Sequence, residues 1–183
     1  MELLTSASAK AWCEAKQLFV RREDLARPRL QFDEGAHAIR IPVPASALHA
    51  VALAYVIIMT GVIDDDERNV DGGLIWMVDW DIGSDTHERV GLSLLSAMRG
   101  ASGGDVLERP CQLFCENELA VLHTALALPL LFQWDAFFVP ISGEFIAFAS
   151  HDGFVDLTFR SRSAADEARN RFQQGKWELV ATD

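Results

Sequence analysis

The chain has 183 residues, half of them hydrophobic and 23% charged, and its 16 Lys and Arg against 27 Asp and Glu give a formal net charge of −11. This fits one folded domain, residues 1–183, with a substantial core, and excludes a disordered chain. Such an acidic chain repels phosphate backbones and carries no basic run to offset that, so nucleic acid is not an expected partner; a basic protein surface is.

The three cysteines, Cys13, Cys111 and Cys115, follow an N-terminus, MELLTSASAKAW, without a basic segment leading into an apolar one. The expectation is a cytoplasmic protein with reduced thiols. Cys111 and Cys115 are spaced C-x3-C, but no second Cys/His pair lies near, so a structural zinc site is not indicated. The longest apolar run, residues 50–63, is too short for a membrane span of about 20 residues.

Trp12, Ala15 and Phe19 make an i, i+3, i+7 stripe, predicting a first helix over about 8–20 that docks on a sheet. It ends in the Arg27-Pro28-Arg29 break. Residues 38–43 read as a strand with Ile39, Ile41 and Val43 on one face, and Pro42 marks an edge or strand end. In residues 45–61 Ser46 could cap a helix through Met59. The β-branched and aromatic content of Val51–Met59 favours instead a short helical turn followed by a buried strand.

Asp64, Asp65, Asp66 and Glu67 open a polar loop that closes on Gly72-Gly73. Residues 74–82 then alternate as a strand, with Leu74, Trp76, Val78 and Trp80 on one face and Ile75, Met77, Asp79 and Asp81 on the other. Asp85 and Glu88, or Ser84, cap a helix whose buried stripe is Val90, Leu94 and Met98, with Gly100 and Gly103-Gly104 at its end. A short strand at 112–115 precedes a helix capped by Asn117, carrying Leu119, Leu122, His123 and Leu126, and stopped by Pro129.

Residues 134–160 read as three strands joined by tight turns. The last alternates cleanly, with Val155, Leu157 and Phe159 opposite Asp156, Thr158 and Arg160; the first two are apolar on both faces. Ser163 caps a final helix with Ala165, Ala168 and Phe172 on one face, ended by Gly175, and residues 176–180 make a last extended piece. The fold class expected is α+β, a mostly antiparallel sheet ending in a three-strand meander over about 134–160, packed by about four helices.

Four residues are candidate catalytic groups. His151-Asp152 pairs an imidazole with a carboxylate, suited to acid–base work or a metal, although Asp152-Gly153 is also a strong hairpin-turn signal. Asp79 and Asp81, two apart on one strand, could hold a cation or divide acid and base roles, or simply face solvent. The Asp64, Asp65, Asp66, Glu67 run lacks calcium-loop spacing and reads as a solvated loop or a surface for a basic protein partner. His87 and His123 read as structural, and Trp76, Trp80 and Trp134 as core and groove walls. No G-x-G-x-x-G, P-loop, G-x-S-x-G or H-E-x-x-H motif occurs, and no cofactor is expected.

The segments GGLIWMVDWDIGS, LLFQWDAFFVP and FASHDGFVDL resemble a set of bacterial single-domain proteins of uncharacterised function, over roughly residues 35–160. More loosely the chain resembles immunity proteins, which are small, acidic, cytoplasmic and non-catalytic and neutralise toxins. The resemblance implies a non-enzymatic binding module, an inhibitor of a basic partner, and fixes no active residue. The alternatives are a small metal-assisted or acid–base hydrolase using Asp79, Asp81, His151 and Asp152, and a structural subunit with an exposed apolar patch around Trp76, Trp80 or Trp134.

Overall fold

The computed structural model describes residues 1–21, 28–32, 36–60, 72–80, 86–100 and 105–180. The expected roles of Asp64–Glu67, Asp81, Ser84 and Asp85 fall outside these residues. Among the described residues the order is β1 (Glu2–Leu4), α1 (Ser6–Ala15), β2 (Phe19–Arg21), β3 (Arg29–Gln31), β4 (His37–Pro42), α2 (Ala47–Thr60), β5 (Gly73–Asp79), α3 (Thr86–Arg99), β6 (Cys111–Phe114), α4 (Leu119–Phe132), β7 (Asp135–Pro140), β8 (Phe145–Ser150), β9 (Phe154–Phe159) and α5 (Arg162–Gln174). Seven strands form one sheet in the order β1-β6-β5-β7-β8-β9-β4, with every pairing antiparallel, and β2–β3 is a separate hairpin. The fold is α+β, and the C-terminal meander is β7-β8-β9.

Both faces of the sheet are covered. Helices α2, α3, α4 and α5 close one face over Ile75, Phe138, Phe145 and Leu157. On the other, Ala9 and Cys13 of α1, with Leu18, Leu30 and Phe32, cover Leu74, Trp76, Phe137 and Ile146. This is why β7 and β8 are apolar on both faces while β9, nearer the rim, alternates. Rim strand β4 ends at Pro42. The Arg40 carbonyl points outward to the Val180 N–H, so Pro42, two residues on, also turns its nitrogen outward and no ladder bond is lost.

Several expected elements are corrected. The first helix stops at Ala15 rather than 20: Leu18 N–H bonds Cys13 O and Gln17 N–H bonds Glu14 O, with Gln17 at φ +59°. This Schellman turn sends Phe19 into β2, half exposed, and the buried helix face is Ala9 and Cys13, not Trp12, Ala15 and Phe19. Residues 47–60 are wholly helical. Ala50, Leu53, Ala54, Ile57 and Ile58 face the core at helical spacing, so burial overrides the β-branched preference. In α3 the packed face is Gly91 and Leu95, while Val90 and Leu94 are about half exposed. A Cβ at Gly91 would sit 2.7 Å from the Trp134 ring, so only glycine lets this helix lie so close.

Asn117 does not cap α4; it sits at φ +69°, and Glu118 is the capping residue. Pro129 lies inside α4, which runs on to Phe132 and ends at left-handed Gln133. Ser161, not Ser163, caps α5 by accepting from Ala164 N–H. Among the described residues there are five helices, against the expected number of about four.

The start of β5 generates a test. Gly72 adopts φ +94°, and a Cβ there would lie 2.1 Å from the Phe114 carbonyl oxygen. Gly153 adopts φ +82° with nothing within 4 Å of its Cβ position. Gly153→Ala is expected to lose about 1–2 kcal/mol of unfolding free energy for the left-handed backbone alone. Gly72→Ala is expected to lose clearly more, measured by urea denaturation.

Candidate functional site

β5 and β7 pair regularly from Gly73 opposite Pro140 to Met77 opposite Ala136, and then the register shifts so that Asp79 faces Asp135. Val78 is the extra residue of a β-bulge. The bulge breaks the expected alternation: Trp76 packs on the α1 side of the sheet, but Trp80 enters the helix-covered core beside Trp134, ring centroids 5.5 Å apart. Asp79 correspondingly lines a groove on the α1 side, together with Val78. Trp80 and Asp79 have exchanged the faces predicted for them.

The groove has a volume of about 480 Å³. Its floor is Val78, Phe137 and Phe148, its rim carries Asp79, Asp135, His151 and Asp156, and β3 closes one side with Arg29 and Gln31. Phe137 and Phe148 are cross-strand neighbours with ring centroids 4.8 Å apart. Asp156 is held by Arg40, its direct partner on β4, through two bonds of 2.7 Å from Nε and Nη2.

His151 belongs to the tight turn between β8 and β9, where Gly153 supplies the positive φ. The turn reading is therefore met, and the imidazole has a partner as well. Its Nδ1 lies 2.8 Å from Asp135 Oδ1, and its backbone N–H donates to the same oxygen at 2.8 Å. The expected partner, Asp152, is 3.6 Å from Nε2, is 69% exposed and does not line the groove. Asp135 is the residue that sequence reasoning missed, 16 positions from His151; its place at the first position of a strand opposite Asp79 was the available signal. Asp79 and His151 thus share one site, Asp152 stands at its margin, and Asp81 lies outside the described residues. The hydrogen bond that His151 donates to Asp135 first, then the charge of Asp135, raises the His151 pKa above its ordinary value of 6.5, with further help from Asp152 and Asp79.

Other candidates have structural roles. His123 Nε2 lies 2.8 Å from the Val51 carbonyl oxygen and its ring meets Tyr55 edge-on, joining α4 to α2. Trp76, Trp80 and Trp134 are all buried, so they form no exposed patch for assembly. Burial pushes the Cys13 thiol up to about 12 and raises Cys111 as well, which leaves both poor nucleophiles. Among the described residues no three or more His, Cys, Asp or Glu side chains are grouped to hold a metal ion, and no helix is long and apolar enough to cross a membrane.

No family model matches the chain, and neither curated proteins nor solved structures provide a match. The functional reading rests on the groove itself.

The dyad fixes the sign of a pH effect. Because the folded-state pKa of His151 is raised, its contribution to stability is fully present below pH 6.5 and is lost as pH rises through the raised value. An NMR titration should place His151 above 6.5, and Asp135→Asn should bring it back down. The stability gap between wild type and Asp135→Asn should narrow with rising pH.

Proposed function

We propose that the protein is a non-enzymatic, acidic protein-binding module that docks a basic partner at the groove between β3 and the β5–β7–β8–β9 end of the sheet. The observation that carries this reading is the groove's construction: an apolar floor of Val78, Phe137 and Phe148 inside a charged rim of Asp79, Asp135, His151 and Asp156. An apolar centre ringed by polar groups is the anatomy of a protein-binding hot spot. The net charge of −11 supports a basic partner by raising the encounter rate and disfavouring acidic competitors. An inhibitory role is the form of this reading that the loose resemblance to immunity proteins implies, and the acidic run Asp64–Glu67 would add to the attractive field.

The test is capture of a basic partner on immobilised protein at low salt, followed by affinity measurements on the captured pair. Asp135→Asn and Phe148→Leu are expected to weaken binding about tenfold or more, as alterations at a hot spot do. Affinity should fall with added salt. A complex unaffected by both substitutions would displace the groove from this role.

A second reading, acid–base hydrolysis, is favoured by one contact. A carboxylate on Nδ1 fixes the imidazole and leaves Nε2 to exchange a proton with substrate or water. Asp79 would then assist from the opposite strand. This reading expects a hydrolytic activity that rises as His151 loses its proton, above pH 6.5, and disappears in His151→Ala. A panel of ester, phosphoester and peptide substrates showing no difference between wild type and His151→Ala would remove it.

A further inference from the structure

We infer that the groove is a receptor for an arginine side chain of the partner, with its guanidinium bound by Asp135 and lying over Phe148. The inference rests on the reading of the groove as a protein-docking site and specifies what enters it.

The fold already handles arginine in this way. Arg40 lays its guanidinium carbon 3.8 Å from the centre of the Phe154 ring and forks onto both oxygens of Asp156 at 2.7 Å. Arg160 stands 4.8 Å over the Phe32 ring while donating to the Lys16 carbonyl at 2.9 Å. Both combine an aromatic face with an acceptor, the pairing that suits a planar, weakly hydrated cation.

The groove repeats those parts; Arg29 lines its β3 side, but among the described residues no arginine lies over Phe148 or bonds Asp135. Phe148, continuous with Phe137, offers the ring surface, and Asp135 offers the acceptor. Both bonds from His151 fall on Oδ1 of Asp135, and among the described residues Oδ2 receives none. Among the described residues the charged groups that line the groove are Asp79, Asp135, Asp156, His151 and Arg29, and Asp156 is already engaged by Arg40. The open oxygen of Asp135 favours an incoming donor, and the ring floor favours a flat one. Lysine, a compact and strongly hydrated point charge, can answer the carboxylates but cannot stack or fork.

The experiment is calorimetric titration of the full chain with hexa-arginine and hexa-lysine peptides at about 150 mM salt, where long-range attraction is largely screened. Hexa-arginine is expected to bind roughly tenfold more tightly. Asp135→Asn and Phe148→Leu, each checked for a native melt, are expected to bring it down to the hexa-lysine level. Amide chemical-shift mapping on the wild type keeps the test independent of variant folding; shifts are expected at Phe137, Phe148 and His151. Equal affinity for the two peptides would overturn the inference while leaving a basic partner in place. So would an arginine preference mapping elsewhere on the surface, or no binding by either peptide. Loss of the groove's role altogether would appear separately, as a captured partner whose affinity ignores both substitutions.

Discussion

The structure depends on the pairing of β5 with β7. These two strands join one half of the sheet, β1-β6-β5, to the other, β7-β8-β9-β4. They also carry the densest apolar burial, with Ile75, Met77, Ala136 and Phe138 under the helices and Leu74, Trp76, Phe137 and Val139 under α1 and the hairpin. Strands buried on both faces must satisfy every backbone polar group within the ladder, since water cannot reach them. Regular pairing therefore runs through the interior and breaks only at the end of β5, where Val78 is extruded.

That break produces the site. Without the bulge, Asp79 would point into the helix-covered core, where an ionised carboxylate is costly to bury. With it, Trp80 fills that core position and Asp79 comes round to the opposite face, across from Asp135. A single row across the sheet shows the electrostatic gradient that results: Arg40, Asp156, Phe148, Phe137, Trp76 and Cys111 follow one another in register from the β4 rim across to β6. In this row charge is confined to the outer two strands, β4 and β9, and the apolar groups begin at β8. His151 adds a proton-dependent cation at the end of the groove where Asp79 and Asp135 meet.

What the sequence made legible follows from local physics. The meander could be read because period-two alternation and Asp152-Gly153 both act over a few residues, and the α5 face because Ala165, Ala168 and Phe172 keep helical spacing. Helix ends were harder to read. Gln17, Gln133 and Lys176 all take the left-handed conformation that glycine usually marks, so α1 and α4 gave no stop signal where they stop. The strand expected within residues 47–60 failed because packing of α2 on α4, not the preference of Val51 or Ile57, decides that segment. The site was half legible. Asp79 and His151 stood out as residue types, but a bulge leaves no trace in an alternating pattern, and the contact with Asp135 exists only once β7 and β8 are paired.

The two rims of the sheet constrain how another molecule can engage it. At one, β1 has only three residues; at the other, the outward backbone of β4 is bridged by Val180 and interrupted by Pro42. Neither presents a long unpaired ladder, the feature by which chains add strands to one another and nucleate fibrils. Main-chain recognition, which is largely blind to sequence, is thereby disfavoured. Selectivity then falls on side chains presented to a cleft, where a change of one residue on either molecule can switch recognition on or off without disturbing either fold.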